Sequence, residues 1–525
     1  MNITDAVAPE WHFRDYRVSL ASEAMKADET LAAHPIRHSV TTTEQIEASF
    51  DNDLTYAKGS TVLRACEALV GPDRWRDFIR GYVKKHAWGN ATAQDFLGDL
   101  RAALGPEVAG LLDLYTSRAG VPLVKVTAGC KQITVDTGAR ALPAGIVEDS
   151  DDRAEWPVPV CFRYGDATHS DRACTTMHEP VAVSYCPTWV IPNAGANGYQ
   201  RSVWDPKLVA QLLDPHSAVA RVAQPTAAEK MMAIVDVRAM VDRGELAIDQ
   251  SLARVPAILA DPDPAVARWA GSAAAFRADA LSDSLYHLAE AWWLKVYRAP
   301  AHALGWHRAP NDSDDRQELR RTLLWAVGGR DATLRAEAEQ LADRWLADRT
   351  GVDDDVVDPM LDAAARHGNA ARFERILAAA KAPRDRDEVG RLLRALGEFE
   401  DPALARRALD LVLGHDFDLR ESVAILEIEL NRRETRDLAL AFATEHLGEI
   451  LPRMRSDEAS WLLGFMAGAF CDTQRIDAVR ALVTPPAAKI DGAQLAVTRG
   501  LEKAQQCVTE LGREQPALEH FLGGT

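Results

Sequence analysis

The sequence predicts a multidomain, mainly α-helical chain in which a small β-sandwich separates two helical regions. Its 525 residues amount to about three domains at roughly 150 residues each. Between Gly120 and Asp205, short β-rich runs replace the helical periodicity found on either side. Beyond Pro206 strand-like runs vanish, and the remainder is rich in Ala, Leu and Arg, with helix stops at intervals of roughly 15 to 25 residues.

In the first region, residues 1–118, Leu63, Cys66, Glu67 and Val70 mark successive turns of one helix. Phe78, Tyr82 and Val83 continue the pattern in the next, with Gly71-Pro72 as punctuation between them. The second region, 119–206, carries the runs Leu123-Val124-Lys125-Val126, Ile133-Thr134-Val135 and Val158-Pro159-Val160-Cys161-Phe162. Short strands at close spacing bury one face of each of two sheets against the other. In the third, 207–525, Asp401 suits an N-cap and Pro402 the first helical position. Leu404, Ala408, Leu411 and Val412 line one face of that helix before Gly414 ends it. Helices of this kind need neighbours, which predicts stacked hairpins in a solenoid-like array, although no strict repeat period is present.

Composition excludes several classes of function. With 47% hydrophobic and 26% charged residues the chain is globular, and no run approaches the roughly 20 apolar residues of a membrane span. A formal net charge of -18 repels phosphate backbones, and no Lys/Arg stripe with interleaved aromatics offsets it, so nucleic acid is not an expected partner. Met1 to Trp11 has neither a basic start nor an apolar core and carries no secretory signal, so any export signal would lie upstream. Cys130, Cys161, Cys174 and Cys186 cluster in one stretch, with Cys471 and Cys507 near the end and Cys66 left over. The clustering favours disulfides over reduced buried thiols, with the pairing open. It hints at an oxidising compartment and export of an intact parent, while the compartment itself stays unassigned.

Four stretches carry a resemblance. The first is Ala33-His34-Pro35-Ile36 followed by Phe50-Asp51-Asn52-Asp53-Leu54-Thr55-Tyr56-Ala57-Lys58-Gly59. The second runs from Tyr82 through Trp88-Gly89-Asn90-Ala91-Thr92 to Asp95, and its polar turn also suits a helix cap. The third is Trp189-Val190-Ile191-Pro192-Asn193 with Gly198-Tyr199-Gln200-Arg201, and the fourth is Leu392 to Leu413. In this order they resemble the zinc aminopeptidases of the aminopeptidase N type, over the C-terminal portion only. The resemblance implies a helical remnant of a thermolysin-like catalytic domain, a β-sandwich and a helical C-terminal domain. It also implies peptides as partners, and zinc as the cofactor of the intact family enzyme.

Tyr56 is the residue the resemblance marks as catalytic. The family tyrosine of Tyr-x-Lys-Gly points its hydroxyl at the tetrahedral intermediate, where a neutral phenol stabilises the developing oxyanion. One departure is that the chain has one residue more than the usual family spacing between Phe50 and Tyr56, which would displace the hydroxyl. Metal ligands are not expected in this chain. None of the fourteen histidines fits H-E-x-x-H. His178-Glu179 continues into Pro180 within the β region, and His34 and His38 have the i, i+4 spacing but an intervening Pro35 and no Glu at the second position. The Gly-x-Met-Glu-Asn stretch, which in the family recognises the substrate's amino terminus, is also absent; both motifs would precede Met1. Asp353-Asp354-Asp355 and Asp312-Ser313-Asp314-Asp315 lack the spacing and glycine of a calcium loop and read as helix caps and solvated loops. Two functions follow as expectations. One is the C-terminal portion of an aminopeptidase, inactive alone, either a truncated gene product or one half of a split enzyme whose zinc-bearing half sits on a separate chain, with the helical array walling off the site. The other is a non-catalytic helical protein that binds peptides or a protein partner. Separation from the zinc-bearing half is expected to leave residues 10–118 with a large exposed apolar patch.

Overall fold

The computed structural model describes residues 7–8, 13–41, 52–146, 156–176, 179–382 and 385–524. Phe50 and Asp51 of the signature stretch lie outside the described residues, as do His178 and most of Met1–Trp11. Two compact units divide the chain at Ala275 and Phe276, so the helices of residues 207–275 fall within the first unit, with the strands.

The first unit begins with α1 (Phe13–Asp28), a π-helical turn (Asn52–Lys58), α2 (Gly59–Val70), α3 (Pro72–Lys85), α4 (Ala93–Leu104) and α5 (Pro106–Ser117). Gly71 and Gly105 each end one helix and precede the proline that starts the next, at positive φ of 91° and 106°. On α2 the inward face differs from the one periodicity suggested. Val62 and Cys66 are buried as Thr61 is, whereas Leu63 is exposed and Glu67 and Val70 are half-buried. Helical spacing alone does not fix the buried side of a short helix, because its neighbours do, and α2 packs on α5 and on the π turn. On α3, Trp75 and Phe78 are buried while Val83 is 61% exposed.

Two small sheets follow. One has the order β5-β2-β1-β7, from β1 (Pro122–Ala128), β2 (Gln132–Arg140), β5 (Val181–Ala182) and β7 (Arg201–Val203). The other has the order β4-β3-β6, from β3 (Val160–Gly165), β4 (Ser170–Thr175) and β6 (Trp189–Ile191). All pairings are antiparallel except β1 with β7. Alternation does the sorting: Val124, Ile133, Val160, Phe162 and Ile191 point inward and are buried. Two disulfides join this segment, Cys130–Cys186 and Cys161–Cys174, the second between directly opposed residues of β3 and β4. The unit closes with α6 (Pro206–Leu213), α7 (Ala218–Ala223), the largely buried α8 (Ala227–Asp242) and four short helices, α9 (Ile248–Leu252), α10 (Val255–Leu259), α11 (Pro264–Ala267) and α12 (Ala270–Ala273).

The second unit is helical throughout: α13 (Asp283–Leu304), α14 (Asp314–Val327), α15 (Ala332–Asp348), α16 (Val357–Arg366), α17 (Ala370–Lys381), α18 (Arg386–Leu396), α19 (Pro402–Leu413), α20 (Leu419–Asn431), α21 (Arg436–Ile450), α22 (Ser456–Ala467), α23 (Thr473–Ala487) and α24 (Ala493–Gly523). Neighbours in sequence pack on one another: α15 on α16, α17 on α18, α19 on α20. Asp401 caps α19 by accepting from the Ala403 and Leu404 amides, and Leu404, Ala405, Ala408, Leu409 and Val412 are buried, with Leu411 at the margin. The acidic runs cap helices and pair with arginines. Ser313 caps α14, Asp312 pairs with Arg316 at 2.8 Å, and Asp354 pairs with Arg391 at 2.6 Å. The third disulfide joins Cys471 to Cys507 on α24, and Cys66 is the free, buried thiol. No helix among the described residues is long and apolar enough to cross a membrane.

Candidate functional site around Tyr56

Leu54, Ala57 and Lys58 of the π turn are buried, so the turn is fastened on one side. Tyr56 lies on the other, 55% exposed. A π turn takes up about one residue more than an α turn, which gives the extra residue of this stretch a place to go. Gly59 follows, and Ile36 Cδ1 lies 3.8 Å from where a Gly59 side chain would start. The His-Pro-Ile loop and the Tyr-x-Lys-Gly turn are therefore neighbours in space.

Lys58 is the residue the sequence reading passed over. Its side chain and that of Asp28 are fully buried, and their charges meet at 2.7 Å. Lys58 Nζ also donates to the Arg118 carbonyl at 2.8 Å. On Asp28, Oδ1 accepts from the Gly120 amide at 2.7 Å and Oδ2 from the Tyr199 hydroxyl at 3.0 Å. Tyr115 donates to the Tyr199 carbonyl at 2.7 Å, and the two rings meet edge to face. Burial pulls the Lys58 ammonium below its ordinary pKa, and the Asp28 carboxylate restores part of the loss. Burial likewise pushes the Tyr199 and Tyr115 phenols up, so both stay neutral donors. One sequence signal pointed inward: Leu54 and Ala57 precede Lys58 by four and one positions, on the face it shares. Nothing local marks Asp28 or Tyr199 as its partners.

The third stretch enters the same cluster. Arg201 pairs with Glu29, its Nη2 3.2 Å from Oε2, next to Asp28. Asn193 exchanges hydrogen bonds with Gly198 at 2.9 and 3.1 Å, and this closed loop delivers Tyr199. The second stretch lies elsewhere. Thr92 Oγ1 accepts from the Asp95 amide while Asp95 accepts from the Thr92 amide at 2.8 Å, which holds the Asp95 carboxyl below its usual pKa and caps α4. Trp88, in the preceding turn, is fully exposed at φ 62°.

His34 and His38 both bring Nδ1 to 3.0 Å from the Pro35 carbonyl oxygen, with their rings edge to face at 4.9 Å. Among the described residues no three His, Cys, Asp or Glu side chains converge as a metal-ion site requires. Eight of the twelve large hydrophobic residues that stand exposed among the described residues precede Gly89: Val7, Tyr16, Leu31, Val40, Tyr56, Leu63, Val83 and Trp88. Exposed apolar surface thus gathers in the first helical region.

Residues 1–115 match the peptidase family M1 domain, and residues 189–506 match the ERAP1-like C-terminal domain. This chain belongs to the M1 aminopeptidase family. Its M1 relatives include aminopeptidase 2 of Candida albicans, 23% identical over 80% of this chain and 46% of the relative. The alanine/arginine aminopeptidase of Saccharomyces cerevisiae is 23% identical over 85% of this chain and 52% of its own length. Tricorn protease-interacting factor F2 of Thermoplasma volcanium is 26% identical over 49% and 31%. The chain thus spans about half the length of the curated relatives it matches, or less. M1 aminopeptidases are zinc enzymes, and the described residues of this M1 chain do not fit a zinc ion.

Proposed function

We propose that the chain is the C-terminal portion of an M1 aminopeptidase, which removes N-terminal residues from peptides, and that it contributes Tyr56 to the reaction. The observation that carries this reading is an exposed tyrosine on a turn whose opposite side is locked in a buried polar cluster, within the segment matching the peptidase domain. A phenol held in this way donates a hydrogen bond to the carbonyl oxygen of a scissile peptide bond as negative charge develops on it. It needs no reorganisation to do so. The two small sheets would form a sandwich acting as a spacer, and the helices of the second unit a solenoid-like array of hairpins. Metal ligands and the amino-terminus site would come from outside these residues, and the exposed apolar residues before Gly89 would provide a surface for the part that carries them.

The test is turnover of a fluorogenic alanyl substrate. The purified chain alone is expected to show none, and addition of a polypeptide carrying H-E-x-x-H, encoded next to this chain's gene, is expected to give chelator-sensitive cleavage. Strong chelator-sensitive cleavage by the chain alone would overturn the reading. Failure of any such polypeptide to bind or to activate the chain would leave the non-catalytic peptide-binding alternative.

A further inference from the structure

We propose that Asp28 and Lys58 are positioning residues for Tyr56: their buried ion pair pins the π turn and makes the tyrosine's location depend on the adjoining β segment through Gly120 and Tyr199. The proposal rests on the reading of Tyr56 given above and adds the device that places it.

Two residues apart on a helical turn point in roughly opposite directions. Fixing Lys58 inward therefore fixes Tyr56 outward. Five chain segments meet at the pin: the end of α1 at Asp28, the π turn at Lys58, the end of α5 at Arg118, the turn leading into β1 at Gly120, and the loop before β7 at Tyr199. Each oxygen of Asp28 has a donor from the β side of the unit. A side chain at Gly120 would be strained, because its φ is 104° and a Cβ there would lie 2.6 Å from the Arg140 side chain. Arg140 in turn donates to the Asp28 carbonyl at 2.9 Å. An apolar pair would fill the same space without desolvating two charges. What the ion pair adds is direction, since Nζ is satisfied only where Asp28 and the Arg118 carbonyl both lie within reach.

The experiment uses the full chain labelled with 3-fluorotyrosine, in which Y56F assigns the Tyr56 fluorine resonance among nine tyrosines. Two variants are compared with the parent by fluorine NMR, amide hydrogen exchange and thermal melting. D28L/K58M replaces the pin by apolar side chains, and Y199F removes only the hydroxyl that donates to Asp28. For D28L/K58M the melting temperature should fall, because the Gly120 amide and the Tyr199 hydroxyl lose their acceptor, while the Tyr56 resonance shifts and broadens. Amide exchange in residues 52–58 should then rise about tenfold or more, with α23 unchanged. Y199F should move the same resonance in the same direction by less. If D28L/K58M does not fold, Y199F decides alone. A parental Tyr56 resonance and parental 52–58 exchange in the folded variants would overturn the proposal, because the pair would then contribute stability only. None of these readouts uses turnover. Unimpaired cleavage by Y56F with the zinc-bearing polypeptide would remove the catalytic role of Tyr56 and leave the pin standing.

Discussion

Tyr56 and Lys58 are two residues apart in sequence and meet opposite environments, one in solvent and the other among Asp28, Tyr199 and the Arg118 carbonyl. With the zinc-bearing polypeptide present, Y56F should lower kcat roughly 10²- to 10³-fold with little change in KM, as loss of one oxyanion donor does. Steady-state kinetics on an alanyl substrate checks this. K58M alone leaves the Asp28 carboxylate buried without its cation and should cost about 3–5 kcal/mol in denaturant unfolding. The buried side of α2 can be tested in the same assay. V62A should cost about 1–3 kcal/mol and L63A less, since Val62 is fully enclosed and Leu63 is 37% exposed. Equal losses for the two would restore the face that periodicity suggested.

Between elements, close approach of backbones replaces side-chain contact at one crossing of the second unit. A Cβ on Gly500 of α24 would lie 2.4 Å from the Gly464 carbonyl oxygen of α22 and 2.7 Å from the Ala467 Cβ. G500A must push these helices apart and should destabilise the chain by about 1–3 kcal/mol, with loss of exchange protection in α22 and α24. The Cys471–Cys507 disulfide joins the turn that follows α22 to α24, between residues 36 apart. Its replacement by two serines should lower stability by roughly 3–4 kcal/mol on the loop-entropy account. Combined with G500A, the loss should exceed the sum of the two, because both act on one crossing.

Across the molecule, buried acids set the response to pH. In the second unit burial pushes the carboxyls of Glu400 and Glu427 up to about 7 and that of Glu429 up to about 8. Their folded forms hold protons more tightly than the unfolded chain does. The stability they contribute is therefore complete below about pH 4.5, the ordinary glutamate value, and is lost as pH rises through 7 and 8. The melting temperature of the second unit, Phe276–Thr525, should fall between pH 6 and 9, by roughly 2–4 °C per kcal/mol for a unit of that size. E429Q should flatten the upper part of that fall. A melting temperature that rises over the same interval would contradict the assignment.

The amino-acid order by itself determined the kinds of element and their succession. Hydrophobic period, proline and glycine punctuation, and caps such as Asp401 and Thr92 are local properties, and each acts over a few residues. The order of the four stretches determined the family reading, and the clustering of Cys130, Cys161, Cys174 and Cys186 favoured disulfides over free thiols. Which cysteines pair was decided only in three dimensions, as was the buried side of α2. The Asp28–Lys58–Tyr199 cluster was decided there too. Its members are 30 and 141 residues apart along the chain, and a buried charge selects its partner by distance through space, which no local pattern records.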